Sequence, residues 1–128
     1  MDGFLKAIEH ADFSFLCANY DFTDTLLNNK TQGTKIFKKG GVKIGVFGVG
    51  IELNGLVPET IYGKTQYLDP IKMANECALE LKKKGCDVII CLSHLGYEYA
   101  HEQVSDKALA ANSEHIHLIL GGHTHTFL

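Results

Sequence analysis

The stretch LDPIKMANECALELKKKGCDVIICLSH, residues 68–94, leaves the fewest alternatives open in this chain. Asp69 is a good N-cap, and Pro70 suits the first helical position because its missing N–H would have no partner there. Ile71, Ala74, Cys77, Ala78 and Leu81 recur at the spacing of one buried helical stripe. Lys82, Lys83 and Lys84 favour the negative end of the helix dipole, and Gly85 closes the helix. An uninterrupted apolar run, DVIICL, follows at once. A shorter helix is predicted over 106–112 and a further strand at IHLIL. Strand, helix, strand, helix, strand in this order predicts parallel pairing with right-handed crossovers, and so an α/β fold.

Upstream the pattern is looser. DGFLKAIEHA carries Phe4, Leu5, Ile8 and Ala11 at helical spacing. FSFLCAN reads as a strand, and 20–33 as a polar loop. TKIFKKGGVKIGVFGVG predicts two strands turned at Gly40-Gly41. The second of these, 42–49, is rich in β-branched residues and is expected to be covered on both faces. An irregular connection is predicted over 50–67.

Composition narrows the class. At 128 residues, 45% hydrophobic and 21% charged, the chain reads as one ordinary globular domain. The net charge of −3, with Lys39, Lys43 and Lys82 to Lys84 set among acids, argues against a nucleic-acid polymer as partner. No apolar run approaches the ~20 residues of a membrane span. The opening MDGFLKAIEH has acids where a signal peptide would be basic. The four cysteines form no C-x-x-C pair; Cys17, Cys86 and Cys91 lie in or beside apolar runs and Cys77 on the apolar helical stripe, so they read as packing residues.

Chemistry is expected at two strand exits. His94 ends the run DVIICLSH, and LILGG delivers His123 and His125 at the end of the next strand. Sites in open α/β sheets assemble at the carboxyl ends of strands, so parallel pairing brings these histidines to one edge. Gly121 and Gly122 permit a close backbone approach, and an extended HTH would send both imidazoles to one side. Imidazole is the commonest metal ligand, which makes His94, His123 and His125 candidate ligands. His10 and His101 read as surface residues. His115 and His117 also have ligand-like spacing. They lie at the start of their strand, however, up to ~20 Å from His123 at ~3.3 Å per residue, with no further Cys or His to complete a set.

On DVIICLSHLGYE and IHLILGGHTHTFL, with FSFLCANYDF and GGVKIGVFGVG upstream, the chain resembles the 5'-nucleotidase branch of the calcineurin-like metallophosphoesterases over essentially its whole length. The resemblance implies an α/β/β/α two-sheet sandwich with a mostly parallel sheet in the C-terminal half. It also implies a nucleotide or related phosphoester substrate and two divalent metal ions, Zn, Mn or similar. By the same resemblance His94 and His123 ligate one metal and His125 the other. Ser93, Gly96, Gly121 and Gly122 shape the loops; Tyr97 and Glu98 either stand behind the ligands or are solvated surface residues, and Asn19 either matches a recurrent family Asn or only caps the strand end. Two such ions ~3.5–4 Å apart clamp a phosphate, lower the pKa of a bridging water and stabilise in-line displacement. Imidazole and carboxylate donors suit ions of this kind.

The family's Asp-x-His, Gly-Asp and Gly-Asn-His-Glu motifs do not occur in this sequence. The bridging Asp and the catalytic His are therefore expected upstream of Met1, and no catalytic residue is assigned within 1–128. The chain reads as a partial catalytic domain, a middle section of a longer metallophosphatase without a downstream nucleotide-binding domain. Alone, it is expected to be inactive and to self-associate through bare strand edges. Cyclic-nucleotide phosphodiesterases and nucleotide-sugar pyrophosphatases share these motifs. A non-catalytic α/β domain is the reading from a different class.

Overall fold

The computed structural model describes residues 2–127. In chain order the elements are α1 (Asp2–Glu9), β1 (Tyr20–Asp21), β2 (Thr34–Lys39), β3 (Val42–Gly50), α2 (Glu59–Tyr62), β4 (Gln66–Tyr67), α3 (Pro70–Lys83), β5 (Val88–His94), α4 (Asp106–Ala111) and β6 (Leu118–Leu120). The capped helix forms where its sequence places it. The Asp69 carboxylate accepts the Lys72 N–H at 2.9 Å, and Gly85 turns the chain out of the helix at φ +80°.

β2, β3, β5 and β6 form a four-stranded sheet in that spatial order; β2 runs antiparallel to β3, and β3, β5 and β6 are mutually parallel. The expected α/β class with a mostly parallel C-terminal half is the one found. A second, two-stranded sheet pairs β1 with β4 inside segments expected to be irregular.

Helix α3 covers one face of the large sheet. Ala74, Cys77, Ala78 and Leu81 pack with Phe47, Val49, Ile89 and Cys91, while Ile71 is only partly buried at the rim. Gly45 is the socket for Leu81: a Cβ there would stand 2.9 Å from both Leu81 methyls. Burial pushes the Cys77 thiol up to about 11 and the Cys91 thiol up to about 12. All four cysteines are free.

The opposite face is largely bare. Leu92, Leu118 and Leu120 are 41%, 46% and 50% exposed. The expectation that the 42–49 strand is covered on both faces therefore holds only where Phe47, Gly48 and Val49 are buried, and Val42 is exposed. What covers that end is the segment FSFLCAN, which does not run as a strand. It makes one bridge, Leu16 with Gln32. Both edges of β3 are already taken by β2 and β5, so the segment reaches β3 only past the end of β2, where Ala18 N–H donates to Gly48 O at 2.8 Å. Helix α1 ends before Ala11 and packs Phe4 edge-on against Phe15, with ring centroids 4.9 Å apart. Among the described residues no helix is long and apolar enough to cross a membrane.

Leu81→Ala empties the Gly45 socket and is expected to cost about 2–5 kcal/mol in urea unfolding, whereas Leu79→Ala on the exposed side of the same helix costs well under ~1 kcal/mol.

Candidate functional site

His94 is the last residue of β5, and the register sets it beside Gly50, the last residue of β3. Gly50 is held from its other side by Asn19, which is completely buried. The Asn19 carboxamide donates to Gly50 O and accepts Gly50 N–H, both at 2.8 Å. It thus satisfies the backbone of Gly50 as a neighbouring strand would, and the recurrent Asn is here a clamp on the strand end.

One strand over, β6 ends at Leu120 and turns through Gly121 and Gly122. The His123 ring then lies edge-to-face with that of His94, with centroids 5.1 Å apart and planes at 71°. His94 ends β5 and His123 follows β6 by three residues, and both imidazoles lie at the same sheet edge, as the parallel topology requires. Gly122 permits the approach: a Cβ there would stand 3.2 Å from His94 Nδ1. The two exits are further tied by Tyr97 N–H donating to Thr124 Oγ1 at 3.0 Å. Gly96 adopts φ +94°, and a Cβ there would overlap the Tyr99 hydroxyl.

His125 does not join this pair. The extended HTH expected from sequence is absent, because His123 and His125 take φ values of +80° and +52°. Left-handed backbone breaks the alternation that would have placed both rings on one side. His125 opens instead onto a hollow of about 440 Å³ with Tyr97, Asp106 and Lys107. His94 lines a different hollow of about 770 Å³, with Cys17, Tyr20, Gly50, Leu92 and Leu120. Among the described residues, no three His, Cys, Asp or Glu side chains gather as a metal-binding group. Tyr97 lies under the Lys107 ammonium, and Glu98 pairs with Lys107 at 2.7 Å on an exposed surface, where such a bridge contributes little.

The remaining histidines lie elsewhere. His10 and His101 are exposed. His115 stands near the Lys82 ammonium, 3.3 Å away. His117 stands just before β6: its Nδ1 accepts Ile89 N–H at 3.0 Å while its backbone N–H donates to Ile89 O at 2.9 Å. Both are at the opposite end of β6 from the Gly121–Gly122 turn.

Sequence reasoning missed Asp106, which it saw only as the start of a helix. Ser105 caps α4 by accepting Ala108 N–H at 3.2 Å, which frees the Asp106 carboxylate to turn back to the strand exits. It accepts from the Ser93 hydroxyl, and its Oδ2 fills the space a Cβ on Gly121 would need. Burial raises the Asp106 carboxyl above its ordinary range, opposed by the Ser93 hydrogen bond and the nearby His94. The paired glycines were the available signal: a turn that tolerates no side chain has something beneath it.

The sequence model of the family described as Calcineurin-like phosphoesterase matches residues 7–127. An apyrase of Tabanus yao is 27% identical, aligned over 100% of this chain and 22% of its own length. The trifunctional nucleotide phosphoesterase protein YfkN of Bacillus subtilis is 31% identical over 98% of this chain and 9% of its own. A crystal structure of a 5'-nucleotidase precursor from Thermus thermophilus superposes with a TM-score of 0.80 at 28% identity, covering 94% of this chain and 23% of that one. The chain thus spans about a fifth of the length of the first curated relatives it matches.

Because the fold raises the Asp106 carboxyl, its ionised form is the disfavoured one. The stability of the parent relative to Asp106→Asn should be greatest below the ordinary carboxylate range and fall as pH rises through the raised value, then level off. Urea midpoints of the two proteins from about pH 3 to about pH 7 read this difference.

Proposed function

The chain belongs to the calcineurin-like phosphoesterase family, and from that premise we propose that it forms part of the catalytic domain of a 5'-nucleotidase-like phosphohydrolase acting on nucleotides or related phosphoesters. The observation that carries the reading is the His94–His123 ring pair at the exits of two parallel strands. Two imidazoles converging from rigid strand ends fit part of the coordination shell of one divalent ion of the Zn or Mn type. His94 and His123 are assigned to that ion. His125 is assigned to a second ion, which requires the 123–126 turn to leave the conformation described above. When bound, the metal pair would supply an activated water and neutralise phosphate charge. The remaining donors, including a carboxylate bridge and the residue that protonates the leaving group, come from outside these 128 residues. The names of the relatives support nucleotides as the substrate class without deciding which phosphoester is cut.

The same reading accounts for the bare leucine face. Leu92, Leu118 and Leu120 would lie under the second sheet of a two-sheet sandwich, and in the 128-residue chain they favour self-association.

Three measurements test this. Zinc affinity, read by competition with a chromogenic chelator, should fall about 10-fold or more in His94→Ala and in His123→Ala and stay unchanged in His117→Ala. Insensitivity to the first two would remove the ligand assignment. The chain alone, with Mn or Zn, should hydrolyse AMP no faster than its His94→Ala variant; metal- and His94-dependent turnover would show that it needs no outside donors. Light scattering should find oligomers that Leu92→Lys together with Leu118→Lys dissociates.

A further inference from the structure

Asp106 is a carboxylate set between the two strand exits. Its Oδ1 accepts from the hydroxyl of Ser93, the residue before His94. Its Oδ2 sits in the space left by Gly121, two residues before His123. Its backbone N–H donates to Gly96 O at 2.7 Å, on the far side of His94. The Ser93 hydroxyl is itself oriented by Leu95 N–H, which donates to it at 3.2 Å. Capping does not account for these contacts, since Ser105 already caps α4.

We propose that Asp106 is a positioning residue that fixes the β5 exit against the Gly121–Gly122 turn and so holds the His94 and His123 rings face to edge. Its consequence for metal affinity rests on the reading of these histidines as ligands; the positioning itself is a property of the metal-free chain. Without the carboxylate, the two exits share the Tyr97–Thr124 hydrogen bond but lose the group that occupies the space between Ser93 and Gly121.

The test is a nuclear Overhauser contact between the two rings in the metal-free, 13C-histidine-labelled chain. The parent should show the contact, assigned by its disappearance in His94→Ala and His123→Ala. Asp106→Ala should lose it. Asp106→Asn, which keeps an oxygen for the Ser93 hydroxyl, should recover part of it. Gly121→Ala should lose it in the parent background and change nothing further when combined with Asp106→Ala. The His117 ring, held by Ile89 N–H at the far end of β6, reports whether the sheet is intact. If Asp106→Ala loses the sheet, Asp106→Asn and Gly121→Ala decide. Full ring contact in both overturns the proposal, as does a parent that shows no contact.

Zinc affinity on the same samples separates the two readings, with a loss of about 10–100-fold expected in Asp106→Ala. If His94→Ala leaves zinc affinity unchanged, the metal reading fails and the ring contact still judges Asp106. If zinc affinity depends on His94 while Asp106→Ala keeps both the contact and an affinity within about 2-fold of the parent, the positioning role fails and the metal reading stands.

Discussion

The parallel pairing of β3 with β5 runs unbroken from Ile44 opposite Val88 to Gly50 opposite His94, and most other features of the molecule are set by it. Parallel strands cannot be joined by a tight turn, so the connection must travel back across a face, and α3 is that return. Once α3 lies on the sheet, Leu81 needs the socket at Gly45, and the small residues Ala74 and Ala78 let the helix approach. The same register ends both strands at one edge, and β6, parallel to β5, ends there too. Three chain exits therefore open onto one place.

How much of this was legible in the sequence depended on how local the signal was. Helix α3 announces itself through Asp69, Pro70 and Gly85, and the apolar run after it can only be a strand in the interior of a sheet. FSFLCAN was misread because strand propensity does not reveal whether an edge is available for pairing, and β3 had none free beside it. The two-residue strands β1 and β4 stand 45 residues apart with nothing in either to mark a partner. The bare face of the sheet was equally hidden: an apolar strand looks the same whether one side or both sides are covered.

At the site, residues at strand ends were found because topology alone places them. Parallel pairing brings His94 and His123 to one sheet edge, and the bare Gly122 lets their rings meet there. His125 depended on the local conformation of the HTH segment, and left-handed backbone at two histidines is not something their side chains predict. Asp106 was invisible for another reason. Its partners, Ser93 and Gly121, lie 13 and 15 residues away on either side, and only the docking of α4 against the sheet edge brings them to it. Burial there holds its carboxyl above the ordinary range, against the Ser93 hydrogen bond and the nearby His94.

The clamp that Asn19 places on Gly50 belongs to the same economy. It fixes the last peptide of β3 beside His94, which itself ends the hydrogen-bonded strand β5, while His123 follows β6 across the Gly121–Gly122 turn. The backbone freedom of these donors is surrendered when the chain folds. On the proposed ligand assignment, an ion held by His94 and His123 would have only a few side-chain torsions left to arrest, so little conformational entropy would remain to be lost at the moment of capture.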